Sequence, residues 1–270
     1  MTKKALIIFS LLLIGAYFMH LVQNLWFDKN IRVIHTYQEI AEPMKKWDKS
    51  TLIFFDIDDT LIHGPYLFPQ NFFERLLFRV RLLWRYPWLA KPARWEEYYS
   101  LMWAQAKRNL IEPEIAYEIQ TLQNHGCMIL GLTSMETGKY GIIDNMPEWR
   151  VNMLTELGII FSNIFEHVEF TACKAYRSHY PELYKGILCC NQQPKAKVLA
   201  AFLNYFQLNP KKIVFFDDQI DEIKEVSVFC KKQKIPFEGY QYLGAEELNN
   251  NWSMQKALSQ LDMLVQYGRW

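Results

Sequence analysis

The sequence predicts an α/β fold: an open, mainly parallel sheet flanked by helices, interrupted by a helical insertion and preceded by a hydrophobic N-terminal helix. Three observations predict it. Short continuous apolar runs at 51–55, 128–132, 186–189 and 212–216 read as strands covered on both faces. Helical segments alternate with them, which is the pattern of strands joined by crossover helices. With 270 residues, 50% of them hydrophobic and 22% charged, the chain can bury such a core, and disorder, collagen and coiled coil are excluded.

Each element has its own local justification. Lys3 and Lys4 precede 5–22, an uncharged apolar run of 18 residues. That length just suffices for a spanning helix, and no clean Ala-x-Ala cleavage site follows, so 1–27 is expected to be a signal anchor, with a cleaved signal peptide as the alternative. The lysines stay in the cytoplasm, which puts the remainder outside it: anchored facing the periplasm, or secreted if the segment is cleaved. Residues 28–64 and 113–270 are expected to form the core. Residues 113–124 form a helix with Pro113 in its first turn and Gly126 past its end. A further helix over 148–157 is closed by Gly158, and another over 195–206 is followed by Pro210.

The insertion, 65–112, differs in composition: 12 of its 48 residues are aromatic, and eight Arg or Lys stand against four Glu. On a helical wheel for 71–86, Phe72, Phe73, Leu76, Leu77, Val80, Leu83 and Trp84 share one arc, and Arg75, Arg79, Arg81 and Arg85 the other. Pro87 and Pro92 then break the chain before a second helix over 93–109, so the pair reads as a small helical cap. The basic helix could roof the site and present arginines to an anionic substrate, lie on a membrane, or pack on its neighbour with a solvated basic face.

A net charge of +1 argues against a nucleic-acid partner. The five cysteines, at 127, 173, 189, 190 and 230, form no C-x-x-C pair, so zinc is not expected. Cys127 and Cys230 read as buried small hydrophobes. Cys173, Cys189 and Cys190 could pair in an oxidising compartment, with one left over.

The residues that carry chemistry stand at strand ends. The first strand closes as Leu52-Ile53-Phe54-Phe55-Asp56-Ile57-Asp58-Asp59-Thr60-Leu61, so two carboxylates emerge where open α/β sheets bind ligands. A chance D-x-D-x-T arises in about one shuffle of this composition in a hundred, before the apolar strand is required. Leu130-Gly131-Leu132-Thr133 closes a second strand, Lys195 in Pro194-Lys195-Ala196-Lys197 opens a helix, and Ile213-Val214-Phe215-Phe216-Asp217-Asp218 closes a further strand. Lys197 competes with Lys195, but the preceding proline favours Lys195.

In these four motifs and their order, over about 50–243, the chain resembles the haloacid dehalogenase-like (HAD) superfamily. The resemblance implies a Rossmann-like core and phosphomonoester hydrolysis through an aspartyl-phosphate. It casts Asp56 as nucleophile and Asp58 as general acid and base. Asp56, the Asp58 backbone carbonyl and Asp217 would hold Mg²⁺, with Asp218 in the same site, and Thr133 and Lys195 would bind the phosphate. Family dehalogenases lack the second acid, which favours phosphate chemistry, and a cap between the first two motifs implies a small phosphorylated substrate. Ser134-Met135-Glu136 stands where related acid phosphatases often carry a substrate-binding Arg. A catalytically silent HAD-fold binding or scaffold protein, and a phosphotransferase, are the alternatives. For 161–184, with His167, Cys173, Arg177 and His179, an added hairpin or loop is expected.

Overall fold

The computed structural model describes residues 29–64, 67, 72–248 and 252–270. The expected N-terminal hydrophobic helix lies outside them. Among the described residues, no helix is long and apolar enough to cross a membrane.

In chain order the elements are β1 (Ile31–Ile34), α1 (Ala41–Met44), β2 (Thr51–Phe55), β3 (Ile62–His63), α2 (Phe72–Arg85), α3 (Pro92–Gln105), β4 (Asn109–Leu110) and α4 (Ile115–Asn124). There follow β5 (Met128–Thr133), α5 (Met146–Glu156), β6 (Val168–Glu169), β7 (Glu182–Tyr184), β8 (Ile187–Cys189) and α6 (Lys195–Tyr205). The chain ends with β9 (Lys212–Asp217), α7 (Ile220–Gln233), β10 (Phe237–Tyr242), α8 (Gly244–Leu248) and α9 (Met254–Tyr267). Among the described residues, eight strands form one sheet in the order β1-β10-β9-β2-β5-β8-β7-β6. Pairing is parallel from β1 through β8 and antiparallel for β8–β7 and β7–β6. The four strands expected from apolar runs are thus adjacent at the sheet centre. The stretch 161–184 contributes two antiparallel edge strands, β6 and β7.

β2 shows why continuous apolar runs make central strands. Ile53 and Phe55 face one buried cluster, with α4 and α5, while Leu52 and Phe54 face another, with α6 and α7. Side chains alternate across the pleat, so a strand covered on both faces has no polar side to show. Phe55 stacks on Phe216 of β9, with ring centroids 4.4 Å apart. Each such buried aromatic contributes about 1.5–3 kcal/mol of burial energy.

The described residues of 65–112 form the helices α2 and α3, with α3 ending at Gln105 and Asn109–Leu110 pairing instead with β3. Its own small core joins Phe78 and Leu82 of α2, Leu89 and Met102 to Ala257, Leu261 and Leu264 of α9. The C-terminal helix therefore packs on the cap, where Asp262 pairs with Arg85 at 2.5 Å and accepts from the Tyr86 hydroxyl. This fixes α2 with its wide apolar arc outward. Phe78 and Leu82, which lie off that arc, are the side chains it buries.

All five cysteines are free and buried, so the pairing left open for Cys173, Cys189 and Cys190 is not formed. Cys189 and Cys190 are consecutive at the end of β8, and the pleat sends them into the opposite clusters of the core.

Candidate active site

The carboxyl ends of β2, β5 and β9 converge on one cleft. Asp56 extends the pairing one residue past β2, its N–H donating to the Phe216 carbonyl at 2.8 Å, and its side chain is buried. The chain then turns sharply at Asp59, whose φ is +62°, a left-handed conformation that Asp tolerates better than most residues. The Asp59 N–H closes that turn onto the Ile62 carbonyl at 2.9 Å. Asp217 ends β9 fully buried; one oxygen accepts the Gln219 N–H at 2.8 Å.

Lys195, at the start of α6, reaches into the cleft. Its Nζ stands 2.6 Å from Asp56 Oδ1 and 2.6 Å from Asp217 Oδ2, whereas Lys197 faces solvent. Carboxylate oxygens of Asp56, Asp217 and Asp218 lie within 4.8 Å of one another. Three carboxylates around one ammonium leave an excess of buried negative charge. Burial pushes Asp56 up to about 7 against the pull of the ammonium. Burial, then Asp56 and Asp217, push Asp218 up to about 9. Burial works against the charge on Lys195, but the two carboxylates outweigh it and raise its pKa. An oxygen-only donor set with surplus negative charge fits a hard divalent cation, with Asp56, Asp217 and Asp218 as the side chains able to hold it.

Thr133 ends β5 buried beside the cleft, its Oγ1 accepting from the Met135 N–H at 3.3 Å. Asp58 does not join the three clustered carboxylates. Both its oxygens accept from Arg150, at 2.8 Å each. Arg150 is buried on the inner face of α5, and its Nε lies 3.4 Å from Met135 Sδ. Sequence reasoning missed it. The available signal was spacing: Met146, Pro147, Arg150 and Leu154 share the buried side of α5, so an arginine interrupts a core-facing stripe. Asn191 was also missed. It is buried, accepts the Thr137 N–H at 3.2 Å, and donates to the Tyr176 and His179 carbonyls, tying 161–184 to the loop after β5.

Above this floor lies a cavity of about 580 Å³. Asp56, Asp58, Thr133, Lys195 and Asp218 line it, with Asp217 beneath them, and the cap supplies Arg75, Arg79, Trp95, Tyr99 and Trp103. Arg108 also faces the cavity, its guanidinium 5.2 Å from the Trp149 ring centroid and donating to the Trp103 carbonyl at 3.0 Å. His167 is not among the lining residues; it pairs with Glu182 at 2.5 Å near the sheet edge.

Fold and cleft together define an α/β protein with an acidic, lysine-bridged site at its strand ends and a helical cap above it. The chain belongs to the family described as "Protein of unknown function (DUF2608)", which matches residues 33–267. An uncharacterized protein of Rickettsia prowazekii is 25% identical over 224 residues, covering 83% of this chain and 80% of the relative. One from Rickettsia felis is 27% identical over 142 residues, 50% of this chain and 48% of the relative. A Chlamydia trachomatis protein named "Putative outer membrane protein" is 21% identical over 222 residues, 81% of this chain and 79% of its own length. No solved structure matches the chain significantly.

Proposed function

We propose that this protein is a Mg²⁺-dependent phosphatase of the HAD type, acting on a small phosphomonoester outside the cytoplasm. The observation that carries the reading is the Asp56–Asp217–Asp218 cluster bridged by Lys195, at the ends of neighbouring parallel strands beneath a cap. The strand order β10-β9-β2-β5-β8 also supports it, because it puts the first motif at the centre of the sheet between the fourth and the second. The name of the Chlamydia relative supports an envelope location.

In this reading an Asp56 carboxylate oxygen attacks phosphorus, and the ester oxygen leaves with a proton from Asp58. Asp58 then takes a proton from water, which attacks the aspartyl-phosphate, frees phosphate and restores Asp56. Bound Mg²⁺ would offset the repulsion between the nucleophile and the phosphate. Lys195 and Thr133 face the transferring oxygens, where transition-state charge gathers. Arg150 holds Asp58 in a two-point pair, so Asp58 takes up its proton once the substrate phosphate has replaced it at the guanidinium. The same pair favours one rival, a catalytically silent binding protein, since it occupies both oxygens of the acid. A phosphotransferase would use the same residues with an acceptor other than water.

The test is phosphate release by the purified chain from a panel of phosphomonoesters, with and without Mg²⁺, beside Asp56→Asn. Metal-dependent release that vanishes in the variant is expected. Release that survives Asp56→Asn sinks the nucleophile assignment, and a folded, Mg²⁺-binding chain that hydrolyses nothing favours the silent reading.

A further inference from the structure

The outward face of α2 plays no part in the cleft. Phe73, Leu76, Leu77, Val80, Leu83 and Trp84 lie on one arc of this helix, and all are exposed, from 43% at Leu83 to 87% at Trp84. Six large apolar side chains in one contiguous patch are uncommon on a soluble monomer and mark an interaction surface. The patch cannot simply turn inward, because Phe78 and Leu82 on the other side of the helix are packed against the cap core that includes α9.

The borders of the arc are cationic. At 100° per residue Arg75 and Arg79 run along one border and Arg81 and Arg85 along the other, with Glu74 the single acid of α2. Arg81 and Arg85 are steadied from below by Met254 and Asp262 of α9 and keep their guanidinium groups exposed. A broad apolar arc with a tryptophan, edged by arginines, is the form of a helix lying in the plane of a membrane interface. There the apolar side chains sit at the acyl boundary and the guanidinium groups meet lipid phosphates. The arc itself carries no polar side chain, so the polar contacts of whatever surface covers it fall to its arginine borders. The charge also selects among membranes, since basic borders favour anionic headgroups.

We propose that α2 docks the cap onto an anionic bilayer surface. The docking is separate from any anchoring by 5–22. Arg75 and Arg79 also line the cleft, but the apolar arc does not, so contact of positions 80 and 84 with lipid can fail or hold independently of the phosphatase reading.

The test uses the full chain reconstituted into phosphatidylcholine–phosphatidylglycerol vesicles. The five native cysteines are buried, so a thiol introduced by Val80→Cys, Trp84→Cys or, as a control on α6, Tyr205→Cys can carry a single environment-sensitive fluorophore. Labels at 80 and 84 are expected to shift to the blue and to be quenched several-fold more by a lipid-borne quencher than the label at 205. The contrast should shrink in pure phosphatidylcholine or high salt. Labels at 80 and 84 that stay as aqueous as that at 205 would overturn the proposal. So would labels already shielded before lipid is added, which would assign the patch to a second copy or to another segment of the chain.

Discussion

Lys195 holds two carboxylates on one buried ammonium, and its loss leaves them uncompensated. Lys195→Met is expected to cost about 3–5 kcal/mol of stability at pH 8, and less at pH 5, where the carboxyls take protons instead. Denaturant unfolding at the two pH values measures this; a cost below about 1 kcal/mol at pH 8 would mean the cluster is not ionised around Lys195. Arg150→Lys keeps a charge but loses the two-point hold on Asp58, and under the proposed phosphatase reading kcat/KM for the best phosphomonoester is expected to fall roughly 10–100-fold. Unchanged kinetics with lower stability would make Arg150 a purely structural residue. Asp56, Thr133, Lys195 and the Asp217–Asp218 pair were legible because each stands at the end of an apolar strand or the start of a helix. Arg150 was not, since its partner Asp58 lies 92 residues away and no local pattern announces such a pair.

α2 separates a helix's periodicity from its orientation. The wheel located the apolar arc correctly, yet the side that packs is the one bearing Phe78 and Leu82. Phe78→Ala is therefore expected to destabilise by about 3–5 kcal/mol, while Trp84→Ala changes stability by no more than about 0.5 kcal/mol. Thermal melts of the two variants check the pair, and equal losses would mean that the arc is covered. The cap meets the core at Gly141, where φ is +56° and a Cβ would stand 2.0 Å from Ser100 Oγ and 2.3 Å from the Glu96 carbonyl. Gly141→Ala should force α3 away from the core and loosen the cavity; faster proteolysis between residues 90 and 112, at unchanged core melting, is the expected signature. Strands β2, β5, β8 and β9 were readable from their apolar runs, whereas β1 and β10 were not. Arg32, Glu238 and Gln241 interrupt those two, so neither carries the continuous apolar run that marked the other four.

The molecule's response to pH should report the cluster as a whole. Asp56 and Asp218 have folded pKa values raised to about 7 and about 9, above the unfolded carboxylate range near 4. Between those limits the folded state binds more protons than the unfolded, so without metal the cluster's contribution to stability falls as pH rises from about 5 to 9. In the proposed function a divalent cation would bind the deprotonated form, so the rise in Tm on adding Mg²⁺ should widen over the same interval. Melts at intervals across it test this; a Mg²⁺ shift independent of pH would place the cation elsewhere.

The sequence by itself determined the α/β class, the central strands, the existence of a two-helix insertion and the placing of Asp56, Thr133, Lys195 and Asp217 at strand ends and a helix start, because these follow from local periodicity and from residues beside their own strand or helix. The tertiary structure alone decided which side of α2 faces inward, that α9 completes the cap, that Arg150 holds Asp58 and that the thiols stay apart. Each of those depends on which distant surface covers a given face, and burial is settled by the whole chain rather than by neighbours in sequence.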